Sequence, residues 1–145
     1  MSERLRNNTS NQPVNSNPRN VIDGTKEYDP VEAGNELVKS MDERQAFSTS
    51  QLRKILSATA VVKNKLDREG STVISKEMQA EIQYLRLKLV YQMGRDRNVK
   101  IWLKEKTIDL ESIVHNIKDS KEAFDRMYRL IESIVAYNKF YFPNK

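Results

Sequence analysis

Few residues in this 145-residue chain are equipped for chemistry. Cysteine is absent, which excludes a thiolate nucleophile, a disulfide frame and a Cys-bearing zinc site. His115 is the only histidine, with Glu111 four residues before it and Asp119 four after. On one helix those three would share a face. Ligands on successive turns of a straight helix do not converge on one ion, so the trio reads as a solvated polar stripe and no metal is expected. A serine triad would need the same His115, and no G-x-S-x-G elbow presents a nucleophile. The four glycines lack the spacing of a phosphate-cradling loop. Glu77 and Glu81 form an i, i+4 pair of the kind helix surfaces produce by chance. The residues predict a non-catalytic chain without cofactors.

What remains is charge. Lys and Arg number 25 against 20 Asp and Glu, a net of +5, which favours an anionic partner. The excess is local: residues 1–47 hold 6 basic and 8 acidic side chains, residues 48–145 hold 19 and 12. Arg53 and Lys54 stand near the start of one expected helix, with Lys63, Lys65 and Arg68 near its end. Lys88 and Arg95 lie two helical turns apart, about 10 Å, bordered by Tyr84 and Tyr91, and Arg97 extends that patch past Gly94. The backbone of a single strand could touch both Lys88 and Arg95. Lys104, Lys106 and Lys121 are interleaved with acids and read as solvated surface. Tyr137, Phe140, Tyr141 and Phe142 could stack on unpaired bases; packing is the preferred reading of that cluster.

The elements that must position these residues are helices. From Val31 to Phe142 there is no proline, and no alternating strand pattern. Ser71-Thr72-Val73-Ile74 is too short to support a sheet. The spacing predicts a weak helix over 31–41, anchored by Leu37, Val38 and Met41. A second is capped at Ser48–Ser50, carries Leu52, Ile55, Leu56, Thr59, Val62 and Leu66 on one face, and ends at Gly70. The third is capped by Ser75. It shows one apolar stripe through Met78, Ile82, Leu85, Leu89 and Met93 and another through Ala80, Tyr84, Leu87 and Tyr91. Two apolar faces predict a helix packed on both sides, at the centre of the bundle. A short helix capped by Asn98, one over 108–117, and a last one starting at Ser120 complete the set. The fold class is all-α, a compact bundle of about five to six helices. Residues 1–30, rich in Asn, Ser and Pro, are expected to be a disordered polar tail, with residues 31–145 a single helical domain. No apolar run approaches the ~20 residues of a membrane span, and MSERLRNNTS lacks a signal peptide's apolar stretch, so a cytoplasmic protein with no membrane partner is expected.

Three segments suggest a family: Ser48-Thr49-Ser50-Gln51-Leu52-Arg53-Lys54-Ile55-Leu56, then Leu85 to Arg95 (LRLKLVYQMGR), then Ile134 to Tyr141 (IVAYNKFY). In order and wording they resemble the small subunit of the type III-A CRISPR effector complex. The resemblance covers roughly residues 47–142. It implies a non-catalytic helical subunit, several copies of which stack as a filament beside the backbone and large subunits and line the groove where guide RNA pairs with target RNA. The basic residues inside the matching segments are Arg53, Lys54, Arg86, Lys88, Arg95 and Lys139; with neighbouring Arg97 they are the expected RNA-binding set. Met93 replaces a small residue of the family pattern, and Asn138 a bulkier one such as His. Two rivals stand beside this reading, a helical protein–protein scaffold and a small helical DNA-binding regulator. A helix-turn-helix needs a polar recognition face, which the third helix lacks.

Overall fold

Side-chain caps start the helices where the sequence offers them. The computed structural model describes residues 20–145. Helix α1, Pro30–Lys39, begins with Asp29 Oδ1 accepting from the Val31 and Glu32 amides, and Pro30 fills the first position, where no amide is needed. Helix α2, Thr49–Glu69, opens on a reciprocal Ser48–Gln51 capping box and closes on Gly70 at φ 69°, the left-handed conformation expected for that glycine. Helix α3, Lys76–Arg95, is capped by Ser75, and the last helix by Ser120. Between them come α4 (Arg97–Lys100), which runs into a π-helical turn over Ile101–Glu105, then α5 (Leu110–His115) and finally α6 (Lys121–Tyr141). The all-helical fold agrees with the sequence reading.

The core lies around α6. Its Phe124, Met127 and Leu130 are wholly inaccessible, and it packs against α1, α2 and α5. The approach to α1 is close because Gly34 has no side chain: a Cβ there would sit 2.2 Å from Ser133 Oγ, which itself donates to the Val31 carbonyl. Helix α3 packs on α2, α4 and α5 through Met78, Ile82, Leu85, Leu89 and Met93, all buried.

Several expectations need correction. The centre of the bundle is α6, not α3. The second stripe of α3 is not packed: Ala80 and Leu87 are exposed, and Tyr84 and Tyr91 are 61% and 67% exposed. Its apolar spacing is real, but nothing else in the described chain covers it. Asn98 does not cap α4, because its amide instead donates to the Gln45 carbonyl. Part of the segment expected as tail, residues 22–28, is held against the rest of the chain. Ile22 exchanges backbone hydrogen bonds with Thr107 and Asp109, Asn116 donates to the Asp23 carbonyl, and Tyr28 packs on the core. Burial pushes the Tyr28 hydroxyl up to about 12. The rest of the predicted tail, residues 1–19, lies outside the described residues. The segment 71–74 makes a single antiparallel bridge, Val73 with Ser120, and no sheet.

Candidate nucleic-acid interface

Helices α2 and α3 run antiparallel, so the first turns of α2 lie beside the last turns of α3. Between them is a groove of about 350 Å³, lined by Lys54, Ile55 and Ala58 on one side and Tyr84, Leu87, Lys88 and Tyr91 on the other. The four α3 residues fall at i, i+3, i+4 and i+7, which places them on one face. Both lysines are exposed and neither forms an ion pair among the described residues. Lys88 Nζ lies 5.1 Å from the centre of the Tyr84 ring, a cation–π interaction that orients the ammonium without neutralising it.

The other expected residues divide. Arg95 is exposed at the C-terminal end of α3, the end that adjoins Lys54, Arg97 is exposed at the start of α4, and neither is ion-paired among the described residues. Arg53 and Lys139 line a second, separate depression of about 290 Å³ between α2 and α6, with Leu52, Leu56 and Val135 as its floor. Lys139 Nζ already donates to the Pro143 carbonyl at 3.0 Å. Arg86 stands apart. It is half-buried, with Nη2 3.1 Å from Glu111 Oε2 and Nη1 3.1 Å from His115 Nδ1. That guanidinium is neutralised within the chain.

The remaining cations explain why the groove keeps its charge. Lys63 and Lys121 share Asp67 and Asp125 in an alternating cluster that ties the end of α2 to the start of α6. Hydrogen bonds from Lys63 and Lys121 hold the Asp67 carboxyl below the usual range. Lys65 pairs with Glu81 across α2 and α3, and Lys104 with Asp109 and Glu111. Hydrogen bonds from Lys104 and then Arg86 lower Glu111 in the same way. Acids thus cancel the bases along the far half of α2 and around α5, while positive potential remains where α2 begins and α3 ends.

The sequence model of the Csm2 Type III-A family matches residues 25–144. The chain belongs to the Csm2 family. Relatives agree: a Mycobacterium tuberculosis "CRISPR system Cms protein Csm2" is 32% identical over 97 residues, covering 67% of this chain and 77% of that one. Its Streptococcus thermophilus namesake is 39% identical over 96 residues, 66% of this chain and 73% of the relative. The Enterococcus italicus namesake is 30% identical over 95 residues, covering 66% and 68%. The family resemblance read from the three segments is therefore correct, and the chain is a Csm2-family small subunit of a type III-A CRISPR complex.

For this Csm2-family chain, two other sequence candidates resolve differently. Helix α5 ends at His115, so Asp119 is not on it; the Asp119 carbonyl instead accepts from the Ile74 amide. Glu111 and His115 meet at Arg86, and no cluster of three or more potential metal ligands forms among the described residues. The C-terminal aromatics pack on one another, Tyr137 edge-on to Phe140 and stacked on Tyr141, whose hydroxyl bonds Asn35. Phe140 nonetheless stands 72% exposed, so the packing reading holds only in part. Sequence reasoning missed Gln92, which lines the groove with its amide nitrogen bound to Asp96 Oδ2. The i, i+4 spacing of Gln92 and Asp96 was the available signal. No helix among the described residues is long and apolar enough to cross a membrane.

Proposed function

We propose that this Csm2-family small subunit is non-catalytic and contacts the backbone of guide or target RNA, supporting target binding in antiviral defence. In this reading it stacks with further copies of itself and meets the backbone and large subunits of the complex. One observation carries the RNA role: Lys54 and Lys88 face one groove from two helices, free of acidic partners, while Lys63, Lys65 and Arg86 on the same helices are neutralised internally. A surface built only for solubility would have no reason to segregate free cations from paired ones. Arg95 extends the free set along α3 and Arg97 onto the start of α4, and Arg53 and Lys139 form a secondary patch. Phosphate contacts of this kind position a strand without reading its bases.

The reading is tested in the reconstituted complex. Replacing Arg53, Lys54, Lys88 and Arg95 with Ala should weaken target-RNA binding for all sequences alike. Unchanged affinity in an intact complex would remove the RNA role and leave a structural subunit.

A further inference from the structure

The groove between α2 and α3 has more than charge. Among its lining residues, Ile55, Ala58 and Leu87 are apolar, and Tyr84 and Tyr91 are aromatic and largely exposed. Binding a phosphate alone requires none of these. Exposed tyrosines on an apolar floor are unfavourable in water unless something covers them, and what covers them must also satisfy two unpaired lysines. An unpaired nucleotide meets both needs, because it joins a flat apolar face to an anionic phosphate. A paired duplex does not, because its base faces are hidden within the stack.

Resting on the RNA-binding reading above, we propose that this groove holds an unpaired nucleotide, its base stacked on the Tyr91 ring and its flanking phosphates on Lys54 and Lys88. The two tyrosines are not equivalent. Tyr84 carries the Lys88 ammonium over its ring, whereas no ring or cation covers Tyr91 among the described residues. Tyr91 is the free stacking face. Gln92 lies beside it with its amide nitrogen engaged by Asp96, which leaves its carbonyl oxygen as an acceptor for an amino or imino group on the base edge. Every base carries such a donor, so the pocket selects single-stranded character and not sequence.

The test uses the reconstituted complex with 5-iodouridine placed at single positions along the guide strand, and separately along the target strand. Irradiation followed by tryptic mapping should recover a cross-link in the peptide Leu89–Arg95. It should be lost in Tyr91→Leu, retained in Tyr91→Phe, and accompanied by a roughly 5- to 150-fold loss of RNA affinity in Tyr91→Leu, the range of base–aromatic stacking. The double variant Lys54→Ala/Lys88→Ala reports separately on phosphate binding. If that variant binds RNA more weakly while no position cross-links to Leu89–Arg95, the stacking proposal falls and the RNA-binding reading survives. If Tyr91→Leu instead prevents assembly with no cross-link in the unsubstituted complex, the face is a protein interface and the proposal is wrong. If neither the lysine pair nor Tyr91 matters to RNA binding, both readings fail.

Discussion

Asn138 holds the backbone of Phe47 with both ends of its side-chain amide. Oδ1 accepts from the Phe47 amide at 3.2 Å and Nδ2 donates to the Phe47 carbonyl at 2.9 Å, across 91 residues of sequence. The pair is buried and fixes the chain just before Ser48, which caps α2 and sets where Arg53 and Lys54 emerge. Asn138 is therefore a structural clamp that places the start of the basic helix.

Asn138→Ala leaves two buried backbone groups without partners. At about 1–3 kcal/mol for each group stranded, the expected loss is roughly 2–6 kcal/mol, read from the midpoint of urea unfolding. A loss below about 1 kcal/mol would show that water replaces the amide.

The orientation of α3 is tested by neighbouring leucines. Leu85 is buried, and Leu85→Ala should cost about 2–5 kcal/mol, through the apolar burial forfeited and the cavity left behind. Leu87 is 62% exposed, and Leu87→Ala should change stability by no more than about 0.5 kcal/mol. Equal effects would mean that the exposed stripe is packed after all.

Residues 20–29 contribute stability that their composition hides. A chain lacking residues 1–29 should melt roughly 5–10 °C below one lacking residues 1–19, because it loses the Ile22 bonds, the Tyr28 packing and the Asp29 cap. Coincident melting curves would show that the segment adds nothing.

The ion-pair clusters predict a sign for the acid response. Asp67 and Glu111 are held below their ordinary values of 3.8 and 4.5. Their contribution is present above those values and is lost as pH falls through the lower folded-state ones. Thermal stability should therefore begin to drop below about pH 5 and keep dropping through the lower folded-state values, and the drop should be shallower in Asp67→Asn/Glu111→Gln. Asp67 is exposed and Glu111 partly so, and high salt should reduce the difference, most of all for the Asp67 pairs. A double variant with the same acid profile as the parent would show that these pairs are energetically idle.

Helix positions were legible because apolar spacing and caps are local: Ser48, Gly70, Ser75 and Ser120 mark ends without reference to the rest of the chain. What covers a face is not local. The stripe through Tyr84, Leu87 and Tyr91 has the same spacing whether it meets another helix of its own chain or a partner, so its exposure could not be read. The anchoring of Ile22 was hidden for the same reason, since its partners Thr107 and Asp109 lie some 85 residues away. Lys54, Lys88 and Arg95 were legible as candidates because each sits among committed apolar positions. That Arg86 belongs to Glu111 and His115 was not, because 25 and 29 residues separate them.

The most direct measurement compares two variants of equal charge in the reconstituted complex. Lys54→Ala/Lys88→Ala removes the free cations of the groove, and Lys63→Ala/Lys65→Ala removes two paired ones from the same helix region. Target-RNA affinity is measured across a series of salt concentrations. The groove variant should bind more weakly and flatten the salt slope by roughly 0.7 log units per log unit of salt for each single-strand phosphate it no longer neutralises, while the paired variant keeps the parental slope. Identical losses in both would show that only total charge matters, and would contradict an RNA-binding groove between α2 and α3.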